Sequence, residues 1–235
     1  RDAALKSFIA YSLLYAGSSS LLRLLSIFVS LWLAASLSNS DYATWGLLYS
    51  AQTGVMTFAA AGIVESVVGL NSSCNADDRR RKLYPSAISL FWRNGFLTIF
   101  VIGLFCLLFL NLQKVGFVPL LCVLLSGLLL AYAGLQAQLT RLTEDHLSSL
   151  YFSFLVPFAG LISSALVFKI FSGVYSYYFG YAIGLFLILF VFLKRLRYNS
   201  TGYPEMTLRS QLLFRLAPFL LIAVLGWLSG YGNNF

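Results

Sequence analysis

Three arginines stand inside stretches that are otherwise apolar: Arg23, Arg93 and Arg215. A guanidinium in such a place can grip a phosphate or a carboxylate through two parallel hydrogen bonds. Arg23 has the most telling neighbours. Ser12, Ser19, Arg23, Ser26 and Ser30 recur at steps of seven, four, three and four, which puts all five on one stripe of a helix. Ser86 and Ser89 lead to Arg93 at steps of three and four, and Gln211 precedes Arg215 by four. Glu65 is the one in-span carboxylate to set against them. A desolvated cation without a counter-charge is costly, so this imbalance predicts an interior that an anion visits. On this reading Arg23, Arg93 and Arg215 bind the anion, while Ser19, Ser26 and Ser30 meet hydroxyls. Glu65 is either an ion-coupling carboxylate, a salt-bridge partner for Arg93, or a solvated group near its span's end. Arg215, close to the end of its own span, could instead snorkel to the surface.

Other chemistry is thin. No Gly-rich phosphate loop, metal-ligand cluster or nucleophile–base pair stands out, so neither an enzyme site nor a cofactor is expected. His146, beside Glu144 and Asp145, reads as a solvated loop histidine. Cys74, Cys106 and Cys122 have no metal spacing, and the last two, inside apolar spans, read as small buried hydrophobes.

The elements that must position these residues follow from composition. Apolar residues make up 59% of the 235 and charged residues 10%, with a mean hydropathy of +0.82. A soluble domain carries about a quarter charged residues, so an all-α, polytopic membrane bundle is expected. Seven spans can be traced. They run at about Phe8–Leu37, Tyr42–Leu70, Leu83–Leu110, Val115–Leu139, Leu147–Phe171, Val174–Leu193 and Leu208–Leu228. Ser38 to Asp41 suits an N-cap for the second span. On that span Ser50, Thr53, Thr57, Ala61 and Glu65 share a weakly polar face. Pro157 and Gly160 predict a kink or close packing in the fifth. The tyrosines opening the sixth suit an aromatic belt, and Gly180 with Gly184 suits helix packing.

The net charge of +8 sits in short clusters between spans, as in loops facing anionic lipid, and gives no nucleic-acid surface. Of sixteen basic residues, eleven fall on one side of the spans and two, Lys114 and Lys169, on the other. The positive-inside rule then predicts a cytoplasmic N-terminus and a cytoplasmic loop between spans six and seven. Arg79-Arg80-Arg81-Lys82 is the strongest such signal. The first span is too long for a signal-peptide core. The chain opens at Arg1 and stops at Phe235 close behind a span, so a piece of a longer protein is expected.

Leu33-Ala34-Ala35-Ser36-Leu37-Ser38 followed by Asp41-Tyr42-Ala43-Thr44-Trp45-Gly46-Leu47 resembles the junction between the first two helices of polysaccharide flippases. These form the Wzx-like, O-antigen-type branch of the MOP exporter superfamily. Ala60-Ala61-Gly62-Ile63 is similar to the end of that family's second helix, and Leu216-Ala217-Pro218 with Trp227 to the opening of its seventh. The resemblance implies an N-terminal six-helix lobe over residues 1–193, a cytoplasmic linker at 194–207 and the first helix of a second lobe at 208–235. It implies flipping of a polyprenyl-pyrophosphate-linked oligosaccharide from the inner to the outer leaflet of a bacterial plasma membrane by alternating access. It also implies that Arg23, on the first helix, is an anion ligand. The partners would be the lipid-linked anionic glycan, membrane lipids and other polysaccharide assembly proteins. Family members have roughly twice as many spans, arranged as two lobes around a central cavity. The rivals are a multidrug or cation exporter of the same superfamily, which would favour acidic cavity residues, and a non-transporting assembly partner. A membrane glycosyltransferase is disfavoured by the short outer connections.

Overall fold

The computed structural model describes residues 2–72, 74–75, 78–109, 116–143, 145–196 and 204–231. The predicted turn at Asn111–Lys114 and part of the linker, with Arg197, lie outside them. All regular structure among the described residues is helical: α1 (Asp2–Ser36), α2 (Asn39–Ala60), α3 (Ile63–Asn71), α4 (Tyr84–Phe109), α5 (Phe117–Leu142), α6 (His146–Leu150), α7 (Val156–Phe171), α8 (Val174–Leu196) and α9 (Met206–Tyr231). Six spans among them are long and apolar enough to cross a membrane, and α9 makes a seventh if its bent halves count as one. The chain is an all-α, multi-pass membrane bundle.

The hydropathy pattern located every span, and local chemistry sets their ends. Ser38 caps α2: its Oγ accepts from the Asp41 N–H at 3.1 Å and donates to Asp41 Oδ2 at 2.8 Å. Asp145 likewise caps α6 by accepting the Ser148 N–H at 3.1 Å. Two spans begin with a single π-helical turn, Arg79–Leu83 before α4 and Tyr151–Leu155 before α7. The second stands directly ahead of Pro157, whose missing N–H and ring strain the helical ladder. The loop after the second span is therefore shorter than the sequence suggested, because Arg79 to Lys82 already wind into the third.

The second span is not one helix. It breaks between α2 and α3, where Gly62 takes φ 71°, a left-handed conformation that favours glycine. A Cβ there would lie 2.8 Å from Phe219 Cβ and 3.1 Å from the Leu216 carbonyl oxygen, so α9 presses on the break. The expected single face from Ser50 to Glu65 is thereby divided. Ser50 and Thr53 are buried on α2, whereas Glu65 is exposed on α3. Helix α9 is itself bent by 46° between Leu216 and Pro218.

In lipid, helix association depends on close packing more than on hydrophobicity. The α7–α8 pair shows this best. Cβ atoms on Gly180 and Gly184 would fall 2.7 Å from the Ser163 carbonyl oxygen and 2.6 Å from Ser163 Cβ, so the two backbones meet where side chains are absent. Where α5 crosses α2, Gly127 lies against the Gln52 carbonyl and Val55, and Gln52 Nε2 donates to Ser126 Oγ at 2.8 Å. Of the tyrosines at the start of α8, Tyr175 is half-buried and the rest turn inward. Tyr177, Tyr178 and Tyr181 are buried in the core, and the Tyr178 hydroxyl donates to the Trp45 carbonyl at 3.1 Å.

Two sets of contacts bring polar connections together. Lys82 pairs with Asp78 at 3.3 Å and Glu205 at 3.6 Å, and the Glu205 N–H donates to Ser86 Oγ at 2.9 Å. This ties the approach to α4 to the residues preceding α9. Ser86 is thus part of a helix–linker joint and no longer reads as one step of a stripe leading to Arg93. The Tyr15 hydroxyl donates to the His146 carbonyl at 3.2 Å, and the Arg141 guanidinium lies 4.3 Å from the Tyr15 ring centroid.

Candidate functional site

Helix α1 decides the geometry of the site. Its bundle-facing ridge is Leu22, Leu25, Val29 and Leu33, spaced three and four apart, with Leu33 fully buried and the others packed against the core. One flank beside this ridge carries Ser19, Arg23, Ser26 and Ser30. The opposite flank carries Leu14, Gly17, Ser18 and Leu21, which line an apolar fissure of about 780 Å³ against Tyr151 and Phe154. The ridge is short, and most of α1 from Tyr11 to Ser36 remains unburied. The helix is held at two places. Near one end Tyr11 stacks on His146 with ring centroids 4.2 Å apart, and near the other Trp32 meets Phe168 edge-on at 4.9 Å.

Between those holds, the serine flank closes over a small cavity of about 110 Å³ with a mixed lining, to which Met56, Leu130 and Leu161 add apolar surface. Ser26 and Ser30 form its α1 wall, Trp45, Tyr49, Gln52 and Thr53 its α2 wall, and Tyr177 and Tyr181 its α8 wall. Trp45 is stacked at 5.3 Å from Tyr42 and 5.4 Å from Tyr49, and Tyr177 meets its ring edge-on at 6.5 Å. Ser26 and Ser30 donate their protons to backbone carbonyls one turn back, each at 2.8 Å, which leaves their oxygens only an accepting role. Trp45 Nε1–H is buried without an acceptor among the described residues. No lining residue is charged.

The seven sequence candidates do not converge on one cavity. Ser26 and Ser30 line this small cavity. Arg23 and Ser19 are exposed on the same flank, one and two turns nearer the N-terminus, and Arg23 has no hydrogen bond or ion pair among the described residues. Arg93 lies elsewhere, exposed on α4 along the face that carries Leu97, Phe100 and Leu104. Arg215 and Glu65 share a third place, an open cleft of about 670 Å³ with Ser66 and Phe219. There Arg215 Nη1 lies so near Gly69 that a Cβ would stand 2.8 Å from it. Glu65 therefore neighbours Arg215 rather than the Arg93 partner expected for it, and neither residue forms an ion pair within 4 Å among the described residues.

Sequence reasoning missed the aromatic wall. Trp45 entered only as part of a junction motif, and Tyr177 and Tyr181 were assigned to an interface. The signal was present as Trp45 and Tyr49 one turn apart on a span whose next turn carries Gln52 and Thr53. It was also wrong about His146, which is the first residue of α6, stacked on Tyr11 with a buried Nδ1. No group of three or more His, Cys, Asp or Glu residues is placed to hold a metal ion among the described residues.

Comparison with protein-family models, with curated proteins and with solved structures finds no match to this chain.

Proposed function

We propose that this chain is the N-terminal lobe, with the first helix of a second lobe, of a transporter that flips a polyprenyl-pyrophosphate-linked oligosaccharide from the inner to the outer leaflet. The observation that carries this reading is Arg23. It is an exposed guanidinium within an apolar span, without a hydrogen bond or ion pair among the described residues, on the same flank of α1 as the serines that open into an uncharged cavity. A cation so placed in a membrane ordinarily faces a bundle interior or an aqueous path, and here it suits a pyrophosphate better than a neutral solute.

In the proposed cycle Arg23 neutralises the pyrophosphate, Ser26 and Ser30 meet sugar hydroxyls, and two lobes rock about the bound glycan. Arg215, with Glu65 beside it, supplies a second anion contact in its own cleft, with Glu65 as the coupling carboxylate. Arg93, on a separate face, is the outlying member of the proposed anion ligands. The N-terminus lies in the cytoplasm, the membrane is a bacterial inner membrane, and other polysaccharide assembly proteins act upstream and downstream.

The test is binding of a fluorescent polyprenyl-pyrophosphate glycan to the protein in lipid nanodiscs, comparing wild type with Arg23→Gln. A tenfold or greater loss of affinity, about 1.4 kcal/mol, supports the reading. Unchanged affinity in a folded variant overturns it. A second reading, export of an organic cation, draws support from the Trp45–Tyr49–Tyr177 cluster, since aromatic faces attract cations. Arg23 on the same flank counts against it, and Arg23→Gln should then strengthen binding of a fluorescent organic cation.

A further inference from the structure

We propose that the outer face of α4 is an interface for a partner transmembrane helix that carries a carboxylate at mid-membrane, with Arg93 as the residue that pairs with it. The face begins at Arg93 and continues through Leu97, Phe100, Leu104 and Leu108 at steps of four, three, four and four, one stripe of the helix. All five are exposed, Leu97 by 64% and Phe100 by 67%. The stripe opens at Arg93, because Ser89, one turn earlier, is already half-buried. The opposite side of α4 is occupied. Phe91 and Cys106 are buried there, and a Cβ on Gly95 would fall 2.4 Å from Leu128 Cδ1.

Depth decides what this face can meet. The span runs from Arg81 to Leu108, and Arg93 lies about 18 Å from one end and about 22 Å from the other at 1.5 Å per residue. The hydrocarbon layer is about 30 Å thick, so Arg93 stands near its middle. Snorkelling to the interface serves residues close to a helix end, and Arg93 is not one of them. It has no hydrogen bond or ion pair among the described residues. Lipid chains cannot solvate a guanidinium there, so the face is covered by something that can. Its other residues are large and apolar, which suits a dry contact with a helix better than the wall of an aqueous path. The carbonyls of a regular helix are already engaged, so a side-chain carboxylate is the fitting acceptor. A second copy of this chain is a poor occupant. Two copies inserted the same way and related by a two-fold axis would hold their Arg93 residues at one depth and repel. Glu65, the in-span carboxylate, lies in the separate cleft beside Arg215.

The interface goes beyond the transport reading and does not rest on it, since it gives Arg93 a protein carboxylate and leaves the glycan to Arg23. Its test uses two synthetic transmembrane peptides, leucine–alanine helices identical except for Glu or Leu at the central residue. The full chain, with a donor dye at its amino terminus, is reconstituted in phosphatidylcholine vesicles with each peptide bearing an acceptor dye. The expected result is saturable energy transfer with an apparent affinity at least tenfold tighter for the Glu peptide. Arg93→Leu abolishes that preference, while Arg23→Gln and Arg215→Gln keep it. The thermal midpoint of Arg93→Leu without peptide is expected to equal or exceed that of wild type, because an exposed charge is removed from an apolar face. A lowered midpoint would show that Arg93 holds its own bundle together, and overturns the interface. Equal binding of the two peptides, a preference that survives Arg93→Leu, or one that vanishes in Arg23→Gln overturns it as well. Energy transfer between donor- and acceptor-labelled copies of the chain, lost in Arg93→Leu, would assign the face to a dimer and reject the partner helix.

Discussion

Helices α7 and α8 and helix α1 solve the problem of packing in a membrane in opposite ways. The α7–α8 pair meets backbone to backbone across Gly180 and Gly184, with Ser163 and Ala159 opposite them. Nothing larger fits, and the pair has the densest contacts of any two helices. Helix α1 packs through one short ridge and two aromatic holds, leaving a fissure on one flank and a small uncharged cavity on the other. Apolar composition therefore says that a helix enters the membrane, while the placement of small residues says how firmly it is held there. The loosely held helix carries Arg23, which has no hydrogen bond or ion pair among the described residues.

That contrast can be broken most forcefully on the tight side. Gly184→Leu drives a branched side chain into Ser163 and Ala159, and overpacking of this kind costs about 3 kcal/mol. A large fall in the thermal midpoint of the detergent-solubilised protein is expected, and an unchanged midpoint would refute the packing described. Gly62→Ala ranks next. It imposes a left-handed conformation on alanine and a contact with Phe219, for about 2 kcal/mol, measurable by the same melt. At the α2–α5 crossing, Gln52→Leu removes the hydrogen bond to Ser126, and interhelical bonds in membranes are worth about 0.6 kcal/mol on average. Because Ser126 keeps its bond to the Val123 carbonyl, the melt should shift only slightly. Arg23→Gln should move stability least, within about 0.5 kcal/mol, because the side chain is exposed and unpaired. A destabilisation well beyond that would mean that Arg23 holds α1 in place, erasing the contrast between a firm pair and a free arginine.

The spans, the Ser38 cap and the small-residue contact at Gly180 and Gly184 could all be read from the chain, because hydropathy, capping chemistry and helical spacing are local signals. The break at Gly62 was not foreseen. Glycine is common in membrane helices, and what selects this one for a positive φ is pressure from Leu216 and Phe219, far away in sequence. The tyrosines of α8 were misplaced for a related reason. An amphipathic ring suits an interface or a satisfied core equally well, and the Trp45 carbonyl that receives the Tyr178 hydroxyl is 133 residues distant. The serine stripe was legible as a stripe, and two of its members do open into a cavity. That Arg93 and Arg215 belong elsewhere follows from how helices are rotated about their axes, which a membrane-spanning sequence records poorly when every side is apolar.

The break between α2 and α3 touches the bend of α9, so two interrupted helices share one joint. Each interruption removes rungs from its own helical ladder, and the two lie against one another at Gly62, Leu216 and Phe219. Tilting α9 loads α3, the segment that bears Glu65, before it loads the aromatic wall at Trp45, about 25 Å back along the chain at 1.5 Å per residue.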